Sequence, residues 1–200
     1  MSEAKSLLAM VGADMSPGKL SNAAVVMIDC QNEYVDGFLP LTGIGPALDQ
    51  CSALLAKARA TGTPIVHVVH QGQAGGAFDL DGHGGQIASQ AAAEDGEPIV
   101  KKPLPNGFAK TELHEVLQDI GRKEIIMAGF QTHMCISSTA RAALDLGFRM
   151  TIVDTATATR DLPRPGGGVM KAEELHVASL AALGDRFAII APDVDAIPEN

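Results

Sequence analysis

The sequence predicts an α/β domain built on a six-stranded, mainly parallel sheet. Three observations predict it. Apolar runs of strand length alternate along the chain with segments of helical period, the order that lays helices over a parallel sheet. The runs are apolar at successive positions and do not alternate, which suits strands covered on both faces. The chain of 200 residues is 46% apolar and only 20% charged, the size and composition of one ordered domain with a substantial core.

The elements follow in order. Residues 1–22 read as an N-terminal arm, in which SLLAMV (Ser6–Val11) suits a short surface helix; residues 23–200 form the domain. AAVVMID (Ala23–Asp29) is a continuous apolar run that ends in an acid. Ala47–Ala60 carries Leu48, Cys51, Leu54, Leu55 and Ala58 on one helical stripe, and TGTP ends it. IVHVVH (Ile65–His70) is a second strand. Residues 71–97 make a long, glycine-rich connection in which IASQAAA suits a short helix. EPIVKK is a third strand, ELHEVLQDIG a helix, EIIMAGF a fourth strand and MCISSTARAALDLG a helix starting at Met134. FRMTIVDTA (Phe148–Ala156), the helix KAEELHVASLAALG and FAIIAPDV complete the pattern.

Composition excludes several classes of function. The formal net charge is −9 and no Lys/Arg cluster appears, so a nucleic-acid partner is not expected. The three cysteines are widely spaced without a CxxC pair, which excludes a disulfide scaffold or a zinc finger. No run reaches membrane-spanning length, and no basic region precedes a long apolar stretch at the N-terminus, so a cytoplasmic protein is expected.

Chemistry concentrates at strand ends, where active sites of open parallel sheets lie. Asp29 closes the first strand, Lys102 closes the third, and Cys135 starts the helix after the fourth. Helix amides and a nearby Lys102 favour a thiolate at Cys135, while Asp29 is placed to take the thiol proton and return it to a leaving group. Backbone N–H groups of Gln131 and Cys135 are candidates for an oxyanion hole. Together these roles describe addition–elimination at an amide or related carbonyl carbon of a small molecule. Each residue also has a plain structural role open to it: a core cysteine, a turn aspartate, a solvated lysine.

Further candidates surround these three. His133 offers a rival Cys–His pairing, although side chains two apart on a helix diverge. His67 and His70 face opposite sides of their strand, and His70 is the better site residue. His114 and His176 read as ordinary helical residues. Gln31, Tyr34, Phe38, His70, Phe108, Phe130 and His133 are candidate pocket residues; only 4% of the chain is aromatic, so rings near the motifs are noticeable. Gln31 and Asn32 are placed to hold the first loop, and Thr132 to cap the following helix. Asp79, Asp81 and His83 carry metal-ligating atoms, but the same stretch suits a polar turn, and no metal or cofactor is expected. Arg160 and Arg164 are candidates to meet a carboxylate, or to be solvated.

Three motifs, VVMIDCQNEY, KKPLPNGFAKTEL and AGFQTHMCISSTARAALDLG, resemble those of the isochorismatase-like cysteine hydrolases over roughly residues 22–192. The resemblance implies a three-layer, Rossmann-like fold with a six-stranded parallel sheet. It implies an Asp–Lys–Cys triad on Asp29, Lys102 and Cys135, a cis peptide between Phe130 and Gln131, and a homo-oligomer, dimer or tetramer. Nicotinamidases of that family have an Asp-x-His pair after the second strand, where this chain has HVVHQGQAGG, so no metal is implied. The leading expectation is hydrolysis of a C–N bond in a small amide or carbamoyl compound through a thioester. The alternatives are vinyl-ether hydrolysis, a non-catalytic oligomeric binding protein, or a thiol-redox protein with Cys30 resolving Cys135.

Overall fold

The computed structural model describes residues 4–200; residues 1–3 of the N-terminal arm lie outside the described residues. The strands are β1 (Ala23–Ile28), β2 (Ile65–His70), β3 (Ile99–Lys102), β4 (Glu124–Phe130), β5 (Arg149–Ala158) and β6 (Ile189–Ala191). They form one parallel sheet in the order β3-β2-β1-β4-β5-β6. The helices are α1 (Leu7–Met10), α2 (Ile44–Ala60), α3 (Leu113–Ile120), α4 (Ser137–Asp145) and α5 (Ala172–Arg186). None of the helices among the described residues is long and apolar enough to cross a membrane.

The apolar runs dictate the layering. Every residue of β1 is buried. Val25 and Met27 pack against Leu48, Cys51, Leu54 and Leu55 of α2 on one face. Ala24, Val26 and Ile28 pack on the other face with Leu113 and Leu117 of α3, Ala140 and Ala143 of α4, and Leu180 and Leu183 of α5. The result is the three-layer sandwich expected from the sequence. α5 carries Glu173 and Glu174 in its first turn and Arg186 in its last, each charge matched to the helix dipole.

The topology positions the site. The chain lays β2 and β3 on one side of β1, then returns to pair β4 on the other side. The order therefore reverses between β1 and β4, and a crevice opens beyond their carboxyl ends. Gly129, next to the last residue of β4, has φ +115°, and a Cβ there would stand 2.0 Å from the Ile28 carbonyl oxygen. Only glycine allows so close an approach of β4 to the end of β1.

Four local differences from the sequence expectation matter. The α-helix expected from Met134 begins at Ser137, because Thr132–Ile136 form a π-helical turn, with the Ile136 N–H bonded to the Gln131 carbonyl at 3.2 Å. β5 runs on to Ala158, past the expected Ala156, while short β6 pairs with it only as far as Val153. Leu162–Pro163 and Val169–Met170 then form a small antiparallel hairpin where a loop was expected. In the 71–97 connection, the short helix expected at IASQAAA is a 3₁₀ turn at Ser89–Ala91, preceded by another at His83–Gly85.

Candidate active site

The carboxyl ends of β1, β3 and β4 bring Asp29, Lys102 and Cys135 together. Asp29 follows β1 with φ +49°, a left-handed conformation uncommon outside glycine, and its N–H is bonded to the Val68 carbonyl. Lys102 ends β3, in register with His70 of β2. Cys135 lies in the π-helical turn after β4, which is a type of turn often found at functional sites. The Phe130–Gln131 peptide bond leading into that turn is cis.

Lys102 is the hub. Its Nζ lies 2.7 Å from Asp29 Oδ2, 3.3 Å from Cys135 Sγ and 3.4 Å from His70 Nδ1. The ammonium thus faces one ion-pair partner and two hydrogen-bond acceptors, and neither buried Asp29 oxygen has a partner in hydrogen-bond geometry. Asp29 and Lys102 are wholly buried and Cys135 is 4% exposed. A solvated lysine and a turn aspartate are thereby excluded.

The electrostatics follow from that burial. Desolvation raises the Asp29 carboxyl above its ordinary range, with Lys102 opposing. Burial, and next the Asp29 carboxylate, push the Cys135 thiol up to about 12, against the pull of Lys102. From the sequence, helix amides and Lys102 favour a thiolate; in the folded site burial and Asp29 outweigh them, and the sulfur is a thiol at neutral pH. Burial, and next the Lys102 charge, lower His70 to about 4, so its ring is neutral and Nδ1 accepts from Lys102.

The candidate pocket residues divide. Tyr34 packs edge-on against Phe78 at 5.0 Å and Phe130 at 6.1 Å, and His70 packs edge-on against Phe78 at 5.1 Å. These four rings form one wall beside Lys102. Phe78 has no motif to mark it; it reaches this wall from the glycine-rich connection. Gln31 holds the first loop, as its placement suggests, and with its amide fully engaged as a clamp it has no free polar atom to offer a pocket. Nε2 donates to the His70 and Gly85 carbonyls, and Oε1 accepts from the His70 N–H. Phe38 is 78% exposed, so it is no wall of a buried site. Phe108 stacks on Phe148, which precedes β5 at the amino end of the sheet, and meets His114 at 6.4 Å. It packs away from the triad's end of the sheet. Gln131 is 2% exposed, and its Oε1 has no hydrogen-bond partner in the chain.

The histidines and thiols resolve similarly. His133 Nδ1 bonds Thr159 Oγ1 at 2.6 Å, while Cys135 pairs with Lys102, so the rival Cys–His pairing is not formed. Burial and then Arg160 hold His133 below its ordinary range. His67, facing away from His70, meets Glu97 at 2.9 Å. Thr132 does not cap the helix with its hydroxyl; Oγ1 is 2.9 Å from His176 Nδ1, and His176 is therefore no ordinary helical residue. Cys30 packs with Cys51 in the α2-side core, whereas Cys135 belongs to the opposite face, so Cys30 is not placed to resolve it. Asp79 accepts from the Gly75 and Asp81 N–H groups and His83 pairs with Asp36, a polar turn. Among the described residues no cluster of three His, Cys, Asp or Glu has a metal-binding arrangement. Arg164 pairs with Glu174, while Arg160 Nε is buried without a partner.

Comparison with known proteins places the chain in a family. The isochorismatase domain model matches residues 23–192. A crystal structure of an isochorismatase from Pseudomonas putida superposes with a TM-score of 0.93 at 39% identity, over 98% of this chain and 100% of that one. A secreted isochorismatase effector of Verticillium dahliae is 35% identical, over 95% of this chain and 98% of its own. Nicotinamidase 3 of Arabidopsis thaliana is 32% identical, over 84% of this chain and 83% of its own. The match spans both strands that meet at the switch point and all three residues gathered there, and the chain belongs to the isochorismatase family of hydrolases.

Proposed function

We propose that the protein is a cysteine hydrolase that cleaves the C–N bond of a small amide or carbamoyl compound. The observation that carries this is the position of Lys102 Nζ between the Asp29 carboxylate and the Cys135 thiol. Moving the thiol proton to Asp29 carries the negative charge from an oxygen at 2.7 Å to a sulfur at 3.3 Å from the same ammonium. The net charge of the trio does not change, so no new charge is buried as the nucleophile forms.

The steps then balance. Asp29 takes the thiol proton and Sγ attacks the carbonyl carbon. The oxyanion is held by the backbone N–H groups of Gln131 and Cys135. Collapse breaks the C–N bond, and protonated Asp29 gives its proton to the departing amine. Asp29 next takes a proton from water, the hydroxide attacks the thioester, the C–S bond breaks to release the acid, and protonated Asp29 returns its proton to the sulfur. The Arabidopsis relative, named for amide cleavage, supports this chemistry at 32% identity.

The test is ammonia release from a panel of small primary amides and ureido compounds, nicotinamide included, with Cys135→Ala beside the native chain. Release by the native chain alone supports the reading; no release across the panel counts against it. A second reading has its own support in the relatives named as isochorismatases. It is vinyl-ether hydrolysis, which releases pyruvate from isochorismate without ammonia.

A further inference from the structure

The turn that carries Cys135 is tied down by a hydrogen-bonded chain that the chemistry above does not use. Thr132 is wholly buried, and its Oγ1 lies 2.9 Å from His176 Nδ1. The other ring nitrogen, Nε2, lies 2.7 Å from Asp154 Oδ1. A carboxylate only accepts, so Nε2 carries the proton that Asp154 receives. In the neutral ring that leaves Nδ1 as an acceptor, and the Thr132 hydroxyl donates to it. The two ends of the chain come from different elements. Asp154 lies on the part of β5 that extends past its pairing with β6, and His176 lies in the second turn of α5.

Thr132 occupies a critical position. It is the first residue of the π-helical turn, directly follows Gln131, and stands three residues before Cys135. Its neighbour His133 is bonded to Thr159 on the continuation of the same strand. The turn is thus fixed at successive residues, by α5 through Thr132 and by the end of β5 through His133. A cavity of about 450 Å³ opens beside these anchors, lined among others by Asp154, Thr157, Thr159 and His176. The turn also packs against α5, and the polar chain adds a directional restraint to that contact. Catalysis of the kind set out above needs the thiol and the oxyanion donors held to within a fraction of an ångström.

We propose that His176, oriented by Asp154, is a positioning residue of the reaction: through the Thr132 hydroxyl it fixes the turn that presents the Gln131 amide and the Cys135 thiol. This rests on the reading of Cys135 as the nucleophile. His176 touches no reacting atom.

The experiment compares His176→Ala, Thr132→Val and Thr132→Ser with the native chain and with Cys135→Ser, on the amide that the native chain hydrolyses fastest. His176→Ala and Thr132→Val are expected to lower kcat at least tenfold with KM changed less than about threefold. Thr132→Ser, which keeps the hydroxyl, is expected to stay within about threefold of native kcat. The double variant His176→Ala/Thr132→Val is expected to be no slower than either single one, since both cut the same link. Native kcat in His176→Ala, with Cys135→Ser inactive, overturns the positioning role and leaves the nucleophile reading standing. Native activity in Cys135→Ser overturns the nucleophile reading itself.

If the native chain hydrolyses no amide, the rate of Cys135 alkylation by iodoacetamide, followed by peptide mass spectrometry, decides. A loosened turn exposes a thiol that burial and Asp29 otherwise hold protonated, so His176→Ala must speed alkylation at least threefold, and an unchanged rate overturns the proposal. If His176→Ala does not fold, Thr132→Val against Thr132→Ser gives the same decision.

Discussion

Lys102 Nζ stands 2.7 Å from Asp29 Oδ2 with neither side chain exposed to solvent. The two residues come from strands separated in the sheet by β2, so a long side chain must cross beneath the end of that strand to reach the carboxylate. This ion pair sets the charge balance of the whole site.

Removing the cation has a predictable cost. Lys102→Met leaves Asp29 buried and uncompensated, and breaking a buried pair in this way costs about 3–5 kcal/mol. Denaturant unfolding at neutral pH is expected to show that loss, and kcat is expected to fall by roughly a thousandfold. Native-like stability in the variant would mean that the pair contributes little to the fold.

The Cys135 thiol makes stability depend on alkaline pH. Its folded value is about 12, above the unfolded value near 8.5. Between those values the unfolded chain gives up a proton that the folded chain keeps. Unfolding then becomes easier as pH rises, by on the order of 1 kcal/mol per pH unit from this group. The effect is fully absent below about pH 8. Unfolding free energies measured from pH 8 to pH 10.5 are expected to fall less steeply in Cys135→Ala than in the native chain.

Gln31 ties the loop after β1 to the end of β2 through the backbone of His70 and Gly85. Gln31→Leu leaves those buried groups unpaired, at about 1–3 kcal/mol for each one not rescued by water. The expected outcome is a thermal midpoint lowered by several degrees, together with reduced kcat, because His70 is one of the three partners of Lys102.

The family resemblance implies an oligomer, and the single chain exposes apolar side chains that an assembly would cover. Phe38 is 78% exposed, Met10 65% and Val177 61%. Light scattering is expected to give the mass of a dimer or tetramer of the 20.7 kDa chain. Phe38→Ser is expected to shift it toward the monomer if Phe38 lies in that contact. A monomer in the native protein would contradict the expectation.

The sheet was legible because strands covered on both faces read as continuous apolar runs, as β1 and β4 do. Asp29 could be picked out because it closes the apolar run of β1, Lys102 because it closes the short third strand, and Cys135 because it stands in the turn that follows β4. The π-helical turn was not legible. Its residues suit an α-helix, and what inserts the extra residue is the turn's place against β4 and α5. Phe78 was missed because it stands in a glycine-rich connection with no periodicity. His176 was passed over for a related reason: its bond to Thr132 joins residues 44 apart, which spacing along a helix does not reveal. Nearness to a motif in sequence sets neither which end of the sheet a ring reaches, as Phe108 shows, nor whether it is buried in the single chain, as Phe38 shows.

The most direct measurement mixes the native chain with an amide it hydrolyses, quenches with acid within the first turnovers, and weighs the peptide that contains Cys135. An added mass equal to the substrate's acyl group is expected on that peptide, with neither adduct nor turnover in Cys135→Ala. Turnover that survives in Cys135→Ala would contradict a cysteine nucleophile.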